Sequence, residues 1–560
     1  MKRTVGIGNQ DFEKSRSRNL FYVDKTNLIR EWWERGDDVT LITRPRRFGK
    51  TLNMSMLNCF FSNKYEDRGD LFEGLSIWDD EEYRNIQGTY PVIFLSFANI
   101  KASSFKAVNH EIGQVIKNLY GEYFFLIEEG FLKKGETAFF ERILETDYLN
   151  ESDISFSLYQ MSLFLYRYFE KKVIILLDEY DTPMQEAYLQ GYWDEMVHLI
   201  RGMFNSTFKT NPYLERAILT GITRVSKESI FSDLNNLNVV TTTSEEYEDC
   251  FGFTEQEVFE AMNEYGYDNK DGVKRWYDGF TFGNEEDIYN PWSIINFLDK
   301  GKLKSYWANS SSNGLVKRLI QQGGADIKKS FEQLLLGNSI ICRIDEEIVY
   351  DQLDDNETAI WSLLLASGYL KILQYEDEGD YELTLTNYEV KKMFERMVDG
   401  WFKKDVSSYN DFIKAFLLGD IKAMNRYMNR VAMATFSFFD TGNRPSGQTE
   451  PERFYHGFVL GLLVELGDRY EIKSNRESGF GRYDVMMIPK ESKDDAVVLE
   501  FKVQDEEDGE ESLEDTVREA LRQIEEKKYE QELIDRGIKK ERIRKYGFAF
   551  QGKTVLIGKG

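Results

Sequence analysis

The sequence predicts an α/β protein with a parallel sheet in its first half and a further α/β domain at its end. Five consecutive apolar residues, Val173 to Leu177, are typical of a central parallel strand that is buried on both faces. An earlier β-rich run, Val39 to Thr43, leads through a short loop into an apolar helix pattern. Two apolar runs near the end, residues 481–489 and 495–503, each contain charged side chains, and they predict neighbouring strands.

The length and composition indicate several domains. At roughly 150 residues per domain, 560 residues predict about three domains. These are a parallel-sheet domain with a lid over residues 1–300, a helical or winged-helix bridging region over 301–450, and a last α/β domain over 451–560. A hydrophobic fraction of 41% supplies a core for each. Three widely spaced cysteines exclude a disulfide framework and favour a reducing cytoplasm, and three histidines argue against structural zinc.

The charge pattern limits the partners. A net charge of −26 argues against a nonspecific coat on nucleic acid, since such binding depends on neutralising phosphates. The first residues lack a signal-peptide core, and no apolar run is long enough to span a bilayer, so no membrane contact is expected. Nucleic acid would be met through local basic patches, each of which has a solvated face as its alternative. The patches are Arg44, Arg46, Arg47 and Lys50; Lys473, Arg476 and Arg482; and Lys539, Lys540, Arg542, Arg544 and Lys545.

A phosphate-binding loop is predicted between the first strand and the helix that follows it. Gly49, Lys50 and Thr51 close this loop, and the order of strand, loop, Gly-Lys-Thr and helix is the context that a P-loop requires. The loop amides and the helix N-terminus would hold phosphate. Lys50 would reach the β and γ oxygens, and Thr51 would bind Mg²⁺.

The predicted loop departs from the common G-x-x-x-x-G-K-T pattern. Arg44 stands where the first glycine is expected, and Pro45 has no amide hydrogen to donate to a phosphate. The cradle must therefore differ from the standard one. Arg46 and Arg47 are candidates for the positive charge that replaces the missing backbone donors.

A carboxylate partner for the loop is predicted at the end of the buried strand. Asp178 would hold Mg²⁺ through water, and Glu179 would polarise the attacking water; a strand that ends in a polar loop is the alternative. Thr220, at the tip of a later strand, would sense the γ-phosphate. Arg224 would be a second sensor or an arginine finger, with a surface salt bridge as the alternative. Further strands of this sheet are predicted at Pro91–Ser96, Arg216–Thr220 and Val239–Thr243.

The last domain carries a predicted metal site. Glu500 and Lys502 are two residues apart, so in a strand they share one face while Phe501 points to the other. An adjacent strand would bring Asp484 beside them. Two carboxylates suit Mg²⁺ or Mn²⁺, and the ammonium group would orient a metal-bound water or offset charge on a phosphate. A solvated edge strand with an ion pair is the alternative, but the apolar neighbours favour burial, where an unpaired charge is costly.

Several longer motifs together extend over nearly the whole chain. They are RPRRFGKT (44–51), LLDEYDTP (176–183), LTGITRVSKESIFSDLNNL (219–237), FGFTEQEV (251–258), WYDGFTFG (276–283), YNPWSI (289–294), FYHGF (454–458) and SNRESGFGRYD (474–484). The set resembles a two-part family with a predicted AAA-type ATPase domain and a C-terminal PD-(D/E)XK nuclease domain. The resemblance implies an ASCE-type P-loop fold, ATP as the nucleotide, and a family-specific form of the loop. It makes Asp484, Glu500 and Lys502 the D, E and K of the nuclease motif.

The same resemblance suggests further residues around the metal. Many members of the superfamily place an acidic residue on the first helix, predicted here from Pro451 to Leu466. Glu452 and His456 lie four residues apart on one face of that helix and are candidates for contacting the metal; a histidine satisfied within the core is the alternative for His456. In a later helix, predicted from Leu513 to Leu533, Gln523 and Tyr529 resemble positions that support the site or contact DNA.

The function predicted from the sequence is that of an ATP-regulated, Mg²⁺-dependent nuclease that acts on nucleic acid, DNA in the first place. Self-association into a homo-oligomer is left open. The principal alternative is a signalling or scaffold ATPase whose nuclease-like module serves binding or assembly. The intact set of Asp484, Glu500 and Lys502 argues against that alternative, whereas the unusual P-loop leaves it open. A third alternative is a nucleotide-binding protein without turnover.

Overall fold

The contacts within the chain divide it into two compact units. One comprises Met1–Val316 with Ile341–Val390, and the other comprises Lys317–Ile340 with Lys391–Gly560. The bridging region predicted over residues 301–450 is therefore shared between them. The computed structural model describes residues 2–224, 230–231, 233–308, 316, 319–320, 325–345, 357–375, 379–402, 409–435, 450–463, 466–467, 469–478, 481–491, 494–505, 510–552 and 554–560.

The first unit is built on a five-stranded parallel sheet. Its strands are β1 (Val39–Thr43), β2 (Val92–Ser96), β3 (Val173–Asp178), β4 (Leu214–Gly221) and β5 (Leu237–Val240). They pair in the order β2-β3-β4-β1-β5, so β4 lies between β1 and β3. Every residue of β1 and β3 is buried, which for β3 is what its apolar sequence predicts. The predicted α/β, ASCE-type parallel sheet is confirmed.

Local backbone features decide where strand β5 ends and where the helix after β1 begins. Strand β5 stops at Val240, earlier than predicted, because the amide of Thr241 bonds to Ser244 Oγ at 2.9 Å and starts a turn. Helix α3 (Lys50–Phe61) begins after Gly49, which has a φ of +86°. That left-handed conformation favours glycine and turns the chain from the loop into the helix. The carboxyl ends of β1, β3 and β4 therefore meet the amino end of α3 at one edge of the sheet.

Helices cover this sheet and continue to residue 300. In chain order they are α1 (Phe12–Ser17), α2 (Asn27–Arg35), α3, α4 (Glu81–Ile86), α5 (Phe105–Glu122), α6 (Phe125–Glu128), α7 (Lys134–Glu145), α8 (Glu151–Phe169), α9 (Thr182–Gln190), α10 (Trp193–Phe208), α11 (Glu255–Tyr265), α12 (Lys270–Tyr277) and α13 (Pro291–Lys300). A two-stranded hairpin, β6 (Phe280–Phe282) and β7 (Glu285–Ile288), separates α12 from α13. None of the helices within the described ranges has the length and apolar character that a membrane crossing requires.

The bridging region combines helices with a small sheet. Helix α14 (Ala325–Leu336) precedes β8 (Ile340–Arg343), and α15 (Glu357–Ala366) precedes the hairpin of β9 (Leu370–Tyr375) and β10 (Asp380–Leu385). The sheet order is β8-β10-β9. For this region the sequence predicts short hairpin-like runs at Ile340–Tyr350, Tyr369–Tyr375 and Tyr381–Thr386. The last two match β9 and β10. The first predicted run, Ile340–Tyr350, forms a strand over its first four residues, and residues 346–350 lie outside the described part.

The second unit contains a five-stranded mixed sheet. Helices α16 (Tyr388–Phe402), α17 (Tyr409–Leu418), α18 (Ile421–Thr435) and α19 (Glu450–Leu463) precede it, and α20 (Leu513–Glu526) and α21 (Gln531–Asp535) follow its third strand. The strands are β11 (Tyr470–Ser478), β12 (Gly481–Pro489), β13 (Ala496–Val503), β14 (Ile543–Gln551) and β15 (Thr554–Lys559). Strands β13 and β14 are parallel, and the other neighbours are antiparallel.

Two features of this unit differ from the prediction. The single helix predicted from Leu513 to Leu533 is broken into α20 and α21, because Lys528 adopts a φ of +52° that no helix continues through. Strand β15 was not predicted. The sequence also predicts a hinge over the polar stretch from Phe439 to Glu452. Residues 439–449 of that stretch lie outside the described part of the chain, and residues 450–452 belong to α19.

Two asparagines of α18 cover the edge of β15. Asn425 Nδ2 donates to the carbonyl of Ile557 at 2.9 Å, and its Oδ1 accepts the amide of the same residue at 2.7 Å. Asn429 pairs in the same way with Val555, at 2.6 and 2.9 Å. The two side-chain amides occupy the hydrogen-bonding positions of a further strand and so block an open sheet edge.

Replacing either asparagine is expected to destabilise the second unit. Asn425→Ala and Asn429→Ala each remove two hydrogen bonds and leave backbone groups unpaired, which should lower the free energy of unfolding by about 1–3 kcal/mol. Chemical denaturation would measure the loss. Arg426→Ala, an exposed position on the same helix, is the matched control. Equal stability of all three variants would contradict this account of the strand edge.

Candidate nucleotide and metal sites

Lys50 lies at the centre of the predicted phosphate-binding loop. Its side chain is 2% exposed, and its Nζ donates to the carbonyls of Arg44 at 3.0 Å and Pro45 at 3.1 Å. The same Nζ is 3.4 Å from Glu179 Oε1. The carbonyl groups of the loop therefore hold the Lys50 ammonium group in place beside the carboxylate of Glu179, which was predicted to polarise water.

Asp178 connects three elements at the same edge of the sheet. Thr51 Oγ1 donates to Asp178 Oδ2 at 2.8 Å, and Thr220 Oγ1 donates to Asp178 Oδ1 at 2.7 Å. Burial raises the pKa of Asp178, and the nearby charge of Glu179 raises it further. The amide of Glu179 lies 3.3 Å from Thr220 Oγ1, and its φ of +55° is strained for a residue with a side chain. The structure thus brings together the predicted magnesium ligands, the base and the sensor.

The loop residue Arg44 has a different place from the one predicted. It was assigned to a basic surface patch, but it is fully buried. Its Nη1 donates to the carbonyl of Thr241 at 2.6 Å, and its Nη2 donates to that of Glu246 at 3.2 Å. Its guanidinium lies 4.6 Å from the ring centre of Phe282, and burial lowers its pKa to about 10. Arg44 therefore ties the loop to the segment after β5 and cannot belong to a surface patch.

The next two arginines remain at the predicted site. Arg46 Nη2 donates to Gln185 Oε1 at 3.0 Å. The Arg47 guanidinium lies 4.3 Å from the ring centre of Trp292, and its backbone has a φ of +66°. Both arginines line a cavity of about 620 Å³, together with Gly49, Lys50 and Thr51 of the loop. That volume is within the range of small-molecule sites.

Asp181 is a site residue for which the sequence suggested no role. It is fully buried, and its Oδ2 accepts the amides of Ile222 at 2.9 Å and Thr223 at 3.0 Å. Gln185 Nε2 donates to the same oxygen at 3.1 Å. Asp181 therefore fixes the loop after β4. Arg224 lies in that loop, half-buried and directly before residues 225–229, which are outside the described part, so its sensor role stays a prediction.

The predicted metal residues meet where β12 and β13 separate. The two strands pair from Met487 to Val485, and just beyond that pairing Asp484 Oδ2 accepts the amide of Phe501 at 2.8 Å. Asp484 is thereby held beside Glu500, which is 3% exposed. Lys502 lies two residues along the strand and is half-buried.

Helix α20 provides support for Glu500. Gln523 Nε2 donates to Glu500 Oε1, and it also lies 3.1 Å from the hydroxyl of Tyr529. Burial, followed by the charges of Glu500 and Asp484, raises the pKa of Tyr529 to about 12. Helix α20 approaches the sheet closely at Gly547, where a Cβ atom would lie 3.0 Å from the carbonyl of Val517. Of the two supporting residues suggested by sequence, Gln523 therefore contacts the carboxylate and Tyr529 contacts Gln523, and a glycine in β14 allows the helix to come this close.

Family models match both parts of the chain. A model described as predicted AAA-ATPase matches residues 6–231, and one described as PD-(D/E)XK nuclease superfamily matches residues 450–560. The chain combines an AAA-ATPase-like domain with a PD-(D/E)XK nuclease superfamily domain. The two domains expected from the resemblance are confirmed.

Individual relatives add little to this assignment. An uncharacterized protein in the vnfD 5' region of Azotobacter chroococcum mcd 1 is 25% identical over 397 residues, which span 70% of this chain and 69% of the relative. A solved structure of the Aeropyrum pernix ORC2 protein in ADPNP-ADP complexes is 9% identical, with a TM-score of 0.22. It covers 67% of this chain and 93% of the ORC2 chain, and a likeness this weak carries no argument.

In the nuclease superfamily domain, His456 supports the main chain of Asp484. Its Nε2 lies 3.2 Å from the carbonyl oxygen of Asp484 and 3.1 Å from Ser474 Oγ. Its ring packs on Phe501 with centroids 5.3 Å apart. The described contacts favour the alternative of a histidine satisfied within the core, and a metal contact for His456 stays a prediction. Glu452 lies in α19, but its side chain is outside the described part, so its role also stays a prediction.

His456 is expected to make this domain sensitive to acid. Burial lowers its pKa from the ordinary 6.5 to about 4, so the unfolded chain binds the proton more readily than the folded chain. Stability should therefore fall by about 2 kcal/mol between pH 7 and pH 5 on account of this residue. Denaturation at both pH values should show that the free energy of unfolding of His456→Gln changes with pH by about 2 kcal/mol less than that of the wild type. His198→Gln, an exposed position, is the control; a wild-type pH response in His456→Gln would refute the assignment.

Several cations of the predicted patches in the nuclease superfamily domain form ion pairs within the described part of the chain. Lys473 Nζ contacts Glu532 at 2.5 Å, and Lys545 Nζ contacts Glu530 at 3.0 Å. Arg542 and Arg544 both bond to Asp495, at 2.9 and 2.6 Å. The side chains of Arg476 and Arg482 are outside the described part. These ion pairs weaken the third patch as a nucleic-acid surface, because Asp495 and Glu530 offset part of its charge.

Proposed function

We propose that the chain binds ATP and that its nucleotide state controls a Mg²⁺-dependent phosphodiesterase in the same chain. The phosphodiesterase acts on nucleic acid, with DNA favoured over RNA. The observation that carries this proposal is the bond between the Asp484 carboxylate and the Phe501 amide, at 2.8 Å. That bond holds the first acid of the nuclease motif beside Glu500, on the strand that also presents Lys502.

The donor set suits a hard divalent cation. Asp484 and Glu500 would hold Mg²⁺ or Mn²⁺, because carboxylate oxygens are the ligands these ions prefer. The metal would supply a nucleophilic water and polarise the phosphate. Gln523 orients the Glu500 carboxylate through a hydrogen bond. Lys502 would offset the charge that builds on the phosphate in the transition state.

The nucleotide half of the proposal rests on the loop and its carboxylates. Lys50 would exchange its bonds with the Arg44 and Pro45 carbonyls for phosphate oxygens. Thr51 and Asp178, which are 2.8 Å apart, would hold Mg²⁺, and Glu179 would polarise water. Pro45 has no amide hydrogen to donate to a phosphate, and Arg46 and Arg47 would compensate with positive charge.

One assay tests the proposal as a whole. The purified chain is incubated with linear, circular and single-stranded DNA and with RNA, in Mg²⁺, Mn²⁺ or a chelator, and with ATP, ADP or no nucleotide. We expect metal-dependent cleavage of DNA at a rate that changes with the nucleotide. Nucleotide binding without cleavage of any substrate would support the scaffold alternative. Cleavage that is equal in all nucleotide states would exclude nucleotide control.

A further inference from the structure

A buried carboxylate lies close to the nucleotide site without touching the cavity. Glu389 is the second residue of α16 and is 1% exposed. Its Oε2 accepts the hydroxyl of Ser293 at 2.7 Å, and its Oε1 accepts the amides of Trp307 at 2.7 Å and Ala308 at 3.3 Å. Burial raises its pKa to about 7, although these donors act in the opposite direction. A buried acid with three donors holds its surroundings in one arrangement.

The first connection from Glu389 leads to Arg46. Trp307, whose amide bonds to Glu389, donates its indole Nε1 to the carbonyl of Arg46 at 2.9 Å. The indole ring packs against Phe280 and Tyr369, with centroid distances of 5.7 and 5.4 Å. Trp307 therefore connects the main chain of Arg46 directly to Glu389, so a displacement of the first would displace the second.

The second connection leads to Arg47. Ser293 donates its hydroxyl to Glu389, and the preceding residue, Trp292, carries the Arg47 guanidinium 4.3 Å from its ring centre. Trp292 also lines the cavity. Both arginines of the unusual loop are thus joined to the same carboxylate by independent routes.

We propose that Glu389 conveys nucleotide occupancy of the P-loop to helix α16. The inference rests on the proposed ATP site and names the residue through which that site acts on the rest of the chain. Helix α16 runs from Tyr388 to Phe402, and the boundary between the two compact units falls after Val390. A shift of Glu389 is therefore a shift of the first turn of a helix whose remaining residues belong to the second unit.

The loop has a reason to change when phosphate binds. Arg46 now bonds to Gln185 and Arg47 stacks on Trp292, and a polyphosphate in the cavity would compete for both guanidinium groups. The left-handed backbone of Arg47 is strained, so rearrangement there is easier than in the helix that follows. The two tryptophans contact the parts of the loop that would move.

Hydrogen exchange of the full chain tests the inference. Amide exchange in α16 is measured with and without saturating ATP and Mg²⁺, in the wild type and in Glu389→Gln and Trp307→Phe. The second variant keeps an aromatic ring but loses the N–H that bonds to Arg46. Glu395→Gln is the control, because Glu395 is on the same helix in an ion pair with Lys392. Calorimetry reports ATP affinity for each protein.

We expect ATP to change exchange in α16 by about threefold or more in the wild type and in Glu395→Gln, and to leave it unchanged in the other two variants. ATP affinity should stay within about threefold of the wild type in all of them, since none of the changed side chains would contact phosphate. A wild-type response in Glu389→Gln, or no response of α16 in the wild type despite ATP binding, would overturn the inference. Absence of ATP binding to the wild type would instead overturn the proposed function. Trp307→Phe decides the matter if Glu389→Gln does not fold.

Discussion

Asp484→Asn and Glu500→Gln are each expected to lower metal-dependent cleavage by about a thousandfold or more, because one remaining carboxylate is too weak a site for a hard cation. Metal affinity should fall with activity in both variants, and isothermal titration with Mn²⁺ would measure it. Lys502→Ala should lose a similar part of the rate while keeping metal affinity, since its ammonium group acts on charge in the transition state.

The control for this set is Glu471→Gln. Glu471 lies on the neighbouring strand β11, is exposed, and pairs with Arg536 at 3.2 Å. It should cleave at the wild-type rate. Wild-type cleavage by Asp484→Asn, Glu500→Gln and Lys502→Ala together would mean that the activity arises elsewhere in the chain or from a contaminant.

The second large effect concerns the nucleotide site. Lys50→Met removes the positive charge that would contact the β and γ phosphates but nearly keeps the length of the side chain. ATP affinity should therefore fall by about a hundredfold. Glu179→Gln should bind ATP as tightly as the wild type and hydrolyse it at least about a hundredfold more slowly, because its carboxylate would act on water only during turnover. Calorimetry and phosphate release separate the two outcomes.

Lys64→Ala is the matched control for the lysine, because Lys64 is exposed and pairs with Glu122 on the surface. It should change neither binding nor turnover. If Lys50→Met kept wild-type affinity, the assignment of the P-loop would be wrong. If Glu179→Gln hydrolysed ATP normally, another residue near Asp178 would have to position the water.

The sequence alone determined those parts of the protein that depend on residues close together in the chain. The Gly49-Lys50-Thr51 turn, the acids after β3 and the alternation of Glu500 and Lys502 follow from the period of a strand or the geometry of a strand-to-helix turn. Each is a local constraint, so its structural context could be predicted without knowledge of distant contacts. The parallel sheet and the two-part family followed from the same patterns.

Tertiary structure alone decided the features that depend on residues far apart in the chain. Arg44 looked like surface charge, but it is buried because carbonyl groups about 200 residues later accept its hydrogen bonds. Glu389 and Asn425 carried no local signal, since the partners that give them a role are 81–96 and 132 residues away. The division into two units also depends on such long-range packing. Buried polar groups form hydrogen bonds with partners that only the folded chain brings together. A pattern of residues adjacent in sequence cannot reveal those partners.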